Sequence, residues 1–145
     1  MKKRKVIVPF EPFSKTVPII KFCVKDKVFY GIIDSGSEIS VFNKESFSDM
    51  SLLSTTVNSM SMVGINGSNK TEAIKLVNTD VKIVSIQEDL YLPCIAFISD
   101  LSNITEHFRR IFDSKISVDA ILGSNFLTLH KAKIDYNKQE IQFVS

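Results

Sequence analysis

Alternating apolar and polar positions predict that the first third of this chain is mostly β-structure. Residues 16–24 and 28–33 are rich in Val, Ile and Phe, and the polar residues 25–27 between them indicate a hairpin turn. Residues 38–42 alternate in the same way, and Asn43 is placed to cap a short helical turn that reaches Phe47.

The middle of the chain predicts two further strand pairs. Residues 57–63 and 70–77 are the arms of a hairpin around residues 64–69, whose Asn-Gly dipeptide is a strong hairpin signal. Residues 80–86 and 90–98 form the second pair. Because the arms of the first hairpin carry many polar residues, we expect it to project from the body of the protein.

Helical spacing appears in the last third of the chain. Five apolar side chains fall on one helical stripe: Leu101, Ile104, Phe108, Ile111 and Phe112. They predict a helix over Ser102–Phe112, with Ser102 or Asn103 as its cap. Ser124 is expected to cap a second, shorter helix over residues 125–130.

Length and composition indicate one compact all-β domain with a real core. The chain has 145 residues, of which 44% are hydrophobic, and this is enough for one domain. Residues 132–136 and Glu140–Val144 are predicted to close it as a final hairpin. We expect an N-terminal arm over residues 1–15 and a single domain over residues 16–145.

Charge and cysteine usage exclude several classes of protein. A net charge of +2 is too small for a nucleic-acid surface, and the basic run at residues 2–5 is interpreted as a solubilising terminus or a phosphate or membrane-surface contact. The apolar residues 6–10 are too few to span a bilayer or to form a signal core. Cys23 and Cys94 form no close pair, which favours a reduced, cytoplasmic protein.

Asp34 is the strongest candidate for a functional residue. It directly follows an apolar strand and precedes the turn residues Ser35-Gly36, and a carboxylate at the end of a buried strand is costly to ionise without partners. The alternative is a turn aspartate that caps local N–H groups. His107 and His130 have no second ligand at metal spacing, so no metal is expected.

Four motifs follow one another in an order that resembles the retropepsin-like, single-lobed aspartic proteases. Asp34-Ser35-Gly36-Ser37 matches the family motif Asp-Thr/Ser-Gly-Ala/Ser, and residues 62–67 match a flap hairpin with a Gly-bearing tip. Ile121-Leu122-Gly123 before a short helix matches the second signature, and residues 132–136 match the closing strands. The resemblance covers residues 16–144, although the segment over residues 99–118 is longer than in minimal viral enzymes.

This resemblance implies a closed-barrel, all-β lobe with a flap hairpin and one or two short helices. It also implies an aspartic endopeptidase that needs no cofactor, in which two carboxylates sharing one proton activate a water against a peptide bond. Because the chain has one Asp-Ser-Gly, it implies a homodimer in which each subunit supplies Asp34. The partners are then a second copy and a peptide or protein substrate, without nucleic acid or a membrane span.

The resemblance also suggests roles for the residues around Asp34. Gly36 would aim its N–H at the carboxylate, Ser37 would hydrogen-bond its outer oxygen, and Ser35 would bond across the two-fold axis. These bonds favour the charged form, so we expect an acid-side optimum.

Residues farther along the chain would form the flap and support the site. Gly64, Ile65, Asn66 and Gly67 would close as a flap over the substrate, and Ile121-Leu122-Gly123 would support the loop from beneath. Ile33, Ile65 and Ile121 would line apolar subsites. The two chain ends, residues 5–13 and Glu140–Val144, would interleave with those of the partner copy.

Two other functions stay open from the sequence. The first is a non-catalytic dimeric module of the same fold that binds peptides or acts as a scaffold, because fold alone does not establish turnover. The second is a plain β-barrel domain without any site. The intact Asp-Ser-Gly motif and the glycines of the flap favour the enzyme.

Overall fold

A computed structural model gives the architecture of the chain and describes residues 4–14, 17–49, 55–63, 71–85, 88–112 and 117–144. Within these ranges the elements are, in chain order, β1 (Lys5–Pro9), β2 (Ile19–Val24), β3 (Lys27–Ile33), β4 (Ser40–Asn43), β5 (Thr55–Val63), β6 (Thr71–Ile83), β7 (Leu90–Ser99), α1 (Ser102–Phe112), β8 (Ala120–Leu122), α2 (Ser124–Leu129), β9 (Lys133–Asp135) and β10 (Glu140–Val144). The described part of the chain is therefore mostly β-structure, as the sequence predicts.

Six of these strands close into a barrel. Their order is β2-β3-β8-β4-β7-β6, and β6 returns to pair with β2 at Phe22↔Ile83 and Cys23↔Lys82. Closure satisfies backbone groups that a sheet edge would leave unpaired. β5 extends the sheet beyond the ring by pairing with β6. The predicted closed-barrel, all-β fold is confirmed.

Parallel pairing within the barrel brings the candidate site together. β3 and β8 run parallel, with Ile33 opposite Leu122, and β4 and β7 also run parallel. Because parallel strands end at the same edge of a sheet, the residues that follow β3 and β8 meet there. Asp34 and Gly123 are those residues.

One long strand replaces two that the sequence predicts. β6 runs without interruption through Thr71–Ile83, so the predicted separation between residues 70–77 and 80–86 is wrong. Val77, Thr79 and Val81 are buried, whereas Asn78 and Asp80 are exposed. The polar residues that suggest a break are the solvent-facing half of an ordinary two-residue alternation.

Phenylalanine side chains fill the centre of the barrel. The ring of Phe47 stacks on Phe29 and Phe42, with centroids 4.3 and 4.5 Å apart, and Phe22 packs against the same pair. The bond from the Phe47 N–H to the Asn43 carbonyl, 3.0 Å long, closes the predicted helical turn that delivers this ring. Ile33 lies in the same core and is 4% exposed, so the subsite role expected for it is wrong.

A second apolar cluster lies under α1. It contains Ile19, Ile32, Val41, Leu101 and Val118, with Ile104 and Ile121 half-buried against it. The carboxylate of Asp100 accepts the N–H of Ser102 at 2.9 Å, and this bond lowers the pKa of Asp100. The helix is therefore capped by Asp100, and neither Ser102 nor Asn103 serves as its cap.

The two ends of the chain pair with each other. β1 lies antiparallel to β10, which in turn pairs with β9. Val6, Val8, Ile141 and Phe143 are at most 3% exposed within the single chain. One chain therefore covers these apolar residues by itself, and the interleaving of the ends with those of a partner copy stays a prediction. The division into an arm and a domain stays a prediction, although Val6, Val8 and Phe10 belong to the main core.

Candidate active site

Asp34 stands where β3 leaves the barrel. Its N–H donates to the carbonyl of Leu122 at 3.1 Å, which continues the β3–β8 pairing by one residue and fixes where the loop begins. Asp34, Ser35 and Gly36 are exposed in the single chain. The sequence suggests that the Asp34 carboxylate is buried. In the single chain it is exposed to solvent.

A tight turn holds the Asp34 carboxylate. The N–H of Gly36 donates to Oδ1 of Asp34 at 2.9 Å, which is the contact expected from the sequence. A Cβ at Gly36 would lie 3.2 Å from the same oxygen, so glycine permits this close approach. The N–H of Ser37 donates to the Asp34 carbonyl at 3.2 Å and completes the turn.

Ser37 does not bond to the carboxylate as the resemblance suggests. Its hydroxyl donates to the carbonyl of Ile39 at 2.7 Å, two residues along the chain. Its own carbonyl accepts the N–H of Ser124 at 2.6 Å. In this chain Ser37 therefore braces the loop, and its hydroxyl is not directed at Asp34.

The beginning of α2 lies directly against the Asp34 loop. A Cβ at Gly123 would lie 2.6 Å from the Ser37 carbonyl oxygen and 2.7 Å from that of Ile39, which is closer than real Cβ contacts come. The N–H of Asn125 also donates to the Glu38 carbonyl at 3.1 Å. Gly123 is the N-cap of α2 and contributes no side chain, so the predicted cap at Ser124 is wrong.

A polar network between buried Ser40 and half-buried Asn125, which the sequence does not reveal, ties this loop to the barrel. Oδ1 of Asn125 accepts both the N–H and the hydroxyl of Ser40, each at 2.8 Å, and its Nδ2 donates to the Ile95 carbonyl at 2.7 Å. The Ser40 hydroxyl also accepts the N–H of Gly123 at 2.9 Å. Ser40 between apolar Ile39 and Val41 is the one local signal of this network, and no such signal marks Asn125.

The arms of the predicted flap pair as a hairpin, but its tip lies outside the described residues. β5 and β6 are antiparallel from Thr55↔Asn78 to Val63↔Thr71, with a register shift between Val57 and Ser59. Gly64, Ile65, Asn66 and Gly67 all belong to the segment that the structure does not describe. Their role as a flap stays a prediction.

Asp119 is a second carboxylate at the end of a strand, and the sequence does not single it out. It is 8% exposed and lies just before β8, at the opposite end of β3 and β8 from Asp34. Among the described residues no hydrogen bond joins Asp34 to another carboxyl group. One chain therefore presents one carboxylate at the Asp34 loop.

Histidine and cysteine side chains do not assemble into another catalytic set within the described ranges. His130 is buried, with a ring nitrogen 2.8 Å from the Pro93 carbonyl, and burial lowers its pKa. Burial raises the pKa of the Cys94 thiol to about 12, so it stays protonated at neutral pH. The described residues contain no cluster of acidic, His and Cys side chains that could hold a metal.

Comparisons with known proteins identify the fold. No family model and no curated protein matches the chain. A crystal structure of a retropepsin-like aspartic protease from Rickettsia conorii matches 99% of this chain and 92% of that chain, with a TM-score of 0.53 and 16% sequence identity. The fold is therefore that of the retropepsin-like aspartic proteases.

Two further solved structures are similar over a shorter span. The retroviral protease-like domain of Ddi1 from Leishmania major matches 90% of this chain and 95% of that chain, with a TM-score of 0.49 and 14% identity. EIAV protease in complex with an inhibitor matches 83% and 93%, with a TM-score of 0.46 and 15% identity. No helix among the described residues is long and apolar enough to cross a membrane.

Proposed function

We propose that the protein is an aspartic endopeptidase in which two copies of the chain each contribute Asp34. The observation that carries the proposal is the Asp34 loop, where an exposed carboxylate is held by the Gly36 N–H at 2.9 Å on a barrel of the retropepsin-like fold. Because one chain presents one carboxylate there, a second copy is the source of the other.

In the proposed dimer the two Asp34 carboxylates would lie side by side and share one proton. Like charges roughly 3 Å apart cannot both ionise, so the pair would titrate as a unit. The ionised member takes a proton from water while the protonated member donates its proton to the scissile carbonyl, which gives a tetrahedral diol. Collapse of the diol returns a proton to the leaving nitrogen, and no metal or covalent intermediate takes part.

The flap hairpin would hold the substrate in this mechanism. A peptide lying extended between the flap and the Asp34 loops would bond through its main chain, as an added strand. The glycines at residues 64 and 67 would let the tip close over the peptide and exclude water. Ile65 and Ile121 stay candidates for apolar subsites, and Ile121 is half-buried in β8, two residues before Gly123.

A cytoplasmic setting belongs to the same proposal. Cys23 and Cys94 are both free and buried, which is typical of a protein that folds in a reducing compartment. The expected substrate class is peptides or proteins, without nucleic acid as a partner.

Cleavage of a diverse peptide pool by the wild type and by Asp34→Asn tests the proposal. We expect products from the wild type between about pH 3 and pH 7, strongest on the acid side and suppressed by pepstatin, and none from the variant. Mass spectrometry identifies the cut bonds, and circular dichroism confirms that both proteins are folded. A folded, dimeric wild type without cleavage at any pH would instead support the peptide-binding module.

A further inference from the structure

A cavity lies at the end of the barrel opposite to Asp34. Its volume is about 850 Å³, and its walls come from the beginning of β3, the turn after β4, one face of α1 and the residue before β8. Tyr30 lines it, and Asp34 follows four residues later along the same strand, which is roughly 13 Å away. The cavity is therefore separate from the proposed peptide cleft.

Asp119 is a buried carboxylate in the wall of this cavity. Its Oδ2 accepts the N–H of Tyr30 at 2.8 Å, and its Oδ1 accepts the hydroxyls of Ser46 at 2.6 Å and Ser117 at 3.5 Å. All three donors are neutral, and no lysine or arginine of the described ranges pairs with it. A buried anion without a counter-charge favours a cation beside it.

Two more charged side chains in the wall are available to a ligand. Glu45 and Arg109 line the cavity, and neither forms an ion pair within the described ranges. Glu106 also lines it, but its carboxylate already pairs with the guanidinium of Arg110 at 2.9 Å on the exposed side of α1. The available charges are therefore two carboxylates and one guanidinium.

The spacing of these charges favours an organic ligand over a metal ion. The acidic residues of the cavity do not form a group that could hold a metal, so one small cation would not satisfy them together. A volume of about 850 Å³ lies within the range of small-molecule sites. Val28 and Phe29 add an apolar wall against which an aliphatic chain can pack.

We propose that this cavity binds a small basic zwitterion, the chemistry of a free basic amino acid. Two cationic groups of the ligand would face Asp119 and Glu45, and its carboxylate would bind the guanidinium of Arg109, which is suited to planar, paired hydrogen bonds. The charges then match in number and in sign. This site does not depend on proteolysis at Asp34.

Calorimetric titration with three probes tests the proposal. L-arginine carries both cations and the carboxylate, agmatine lacks the carboxylate, and L-citrulline lacks the side-chain charge. We expect L-arginine to bind roughly tenfold more tightly than either of the others, because each lacks one charge-assisted contact. Equal affinity for the three, or no binding of L-arginine at about 10 mM, overturns the proposal.

Exposed variants assign the contacts without threatening the fold. Arg109→Gln should weaken L-arginine roughly tenfold and leave agmatine unchanged, while Glu45→Gln should weaken both. Lys138→Gln is the matched control, because it removes one positive charge from the exposed turn between β9 and β10, outside the cavity, and it should keep wild-type affinity. Binding that Arg109→Gln and Glu45→Gln leave unchanged contradicts the assignment. Asp34→Asn should bind L-arginine normally, so this test fails or succeeds independently of the peptidase proposal.

Discussion

At Gly123 the backbone of the chain packs so closely against the Asp34 loop that no side chain fits between them. A Cβ there would lie within 2.8 Å of three backbone atoms, and backbone cannot move aside as a flexible side chain can. We expect Gly123→Ala to lower the free energy of unfolding by about 1–3 kcal/mol and to abolish peptide cleavage. Urea unfolding and the peptide-pool assay measure the two effects.

Gly36→Ala is the matched control for this prediction. Its Cβ would meet one atom, Oδ1 of Asp34, at 3.2 Å on an exposed turn. Stability should fall by less than about 1 kcal/mol, because nothing buried has to move. If both variants unfold at the same urea concentration, the backbone contacts of Gly123 do not explain its presence.

His130 links stability to pH. Burial lowers its pKa in the folded protein below the usual value of about 6.5, so the unfolded chain binds its proton more readily. The stability that depends on neutral His130 is complete above pH 6.5 and is lost as the pH falls through the lowered folded pKa. The proposed acid-side activity therefore falls in a range where this contribution decreases.

Urea titrations between pH 7.5 and pH 4.5 test this linkage. We expect the free energy of unfolding of His130→Gln to fall less steeply than that of the wild type, because glutamine does not titrate. His107→Gln is the control, since His107 is exposed on α1, and it should keep the wild-type slope. Parallel slopes for the wild type and His130→Gln would show that His130 is protonated equally in both states.

Residue roles were predictable where the contact is local. Gly36 is two residues from Asp34, so the turn motif alone predicts the N–H that reaches the carboxylate. The bond between Ser40 and Asn125 spans 85 positions, and no local pattern encodes it. Ser37 is an exception, because its hydroxyl donates to the carbonyl of Ile39, an equally local acceptor that the motif does not indicate.

At the scale of elements, α2 and β4 are joined through one amide side chain. Asn125→Ala would leave the N–H and hydroxyl of Ser40 without their acceptor and the Ile95 carbonyl without its donor. We expect a loss of about 2–3 kcal/mol in the free energy of unfolding. Peptide cleavage should fall by more than the unfolded fraction of the variant accounts for. The reason is that the loop that carries Asp34 loses the bonds that hold it.

Asn137→Ala serves as the comparison for Asn125→Ala. Asn137 is exposed in the turn between β9 and β10, so its removal should change stability by less than about 0.5 kcal/mol. Kinetics and urea unfolding on the same preparations separate loss of fold from loss of activity. An Asn125→Ala variant as stable and active as Asn137→Ala would show that the bonds of Asn125 support neither the fold nor the Asp34 loop.

Periodicity in the sequence predicts the strands and helices themselves, but pairing between strands determines where each strand begins and ends. The hairpin of β2 and β3 and the helix α1 follow directly from apolar spacing and turn residues. β6 was predicted as two strands because Asn78, Thr79 and Asp80 form a polar cluster, which indicates a turn when burial is unknown. Pairing of residues 76–83 with β7 keeps this segment extended.

At the scale of the whole molecule, hydrophobic patterning does not predict which strands pair. The parallel pairs β3–β8 and β4–β7 join segments far apart in the chain, and they place Asp34 beside Gly123. The order of motifs nevertheless predicts the fold, because the resemblance carries the topology with it. The pairing of β1 with β10 was missed, since two apolar ends read equally well as partners of a second copy.

The exposed Asp34 loop and the self-contained chain ends together shape the expected dimer. Each chain covers its own apolar ends, so in the proposed dimer the second copy would supply its carboxylate and would not be required for folding. The single chain should therefore fold without a partner and gain activity when two Asp34 loops meet.

Subunit mixing tests whether one active site takes Asp34 from both copies of the chain. Wild type and Asp34→Asn are unfolded together in urea at varied ratios, refolded at constant total concentration, and assayed for peptide cleavage. If both Asp34 carboxylates of a dimer are required, activity follows the square of the wild-type fraction, and an equal mixture keeps about a quarter of it. Activity that falls in direct proportion to the wild-type fraction would show that one chain suffices and would contradict the shared site.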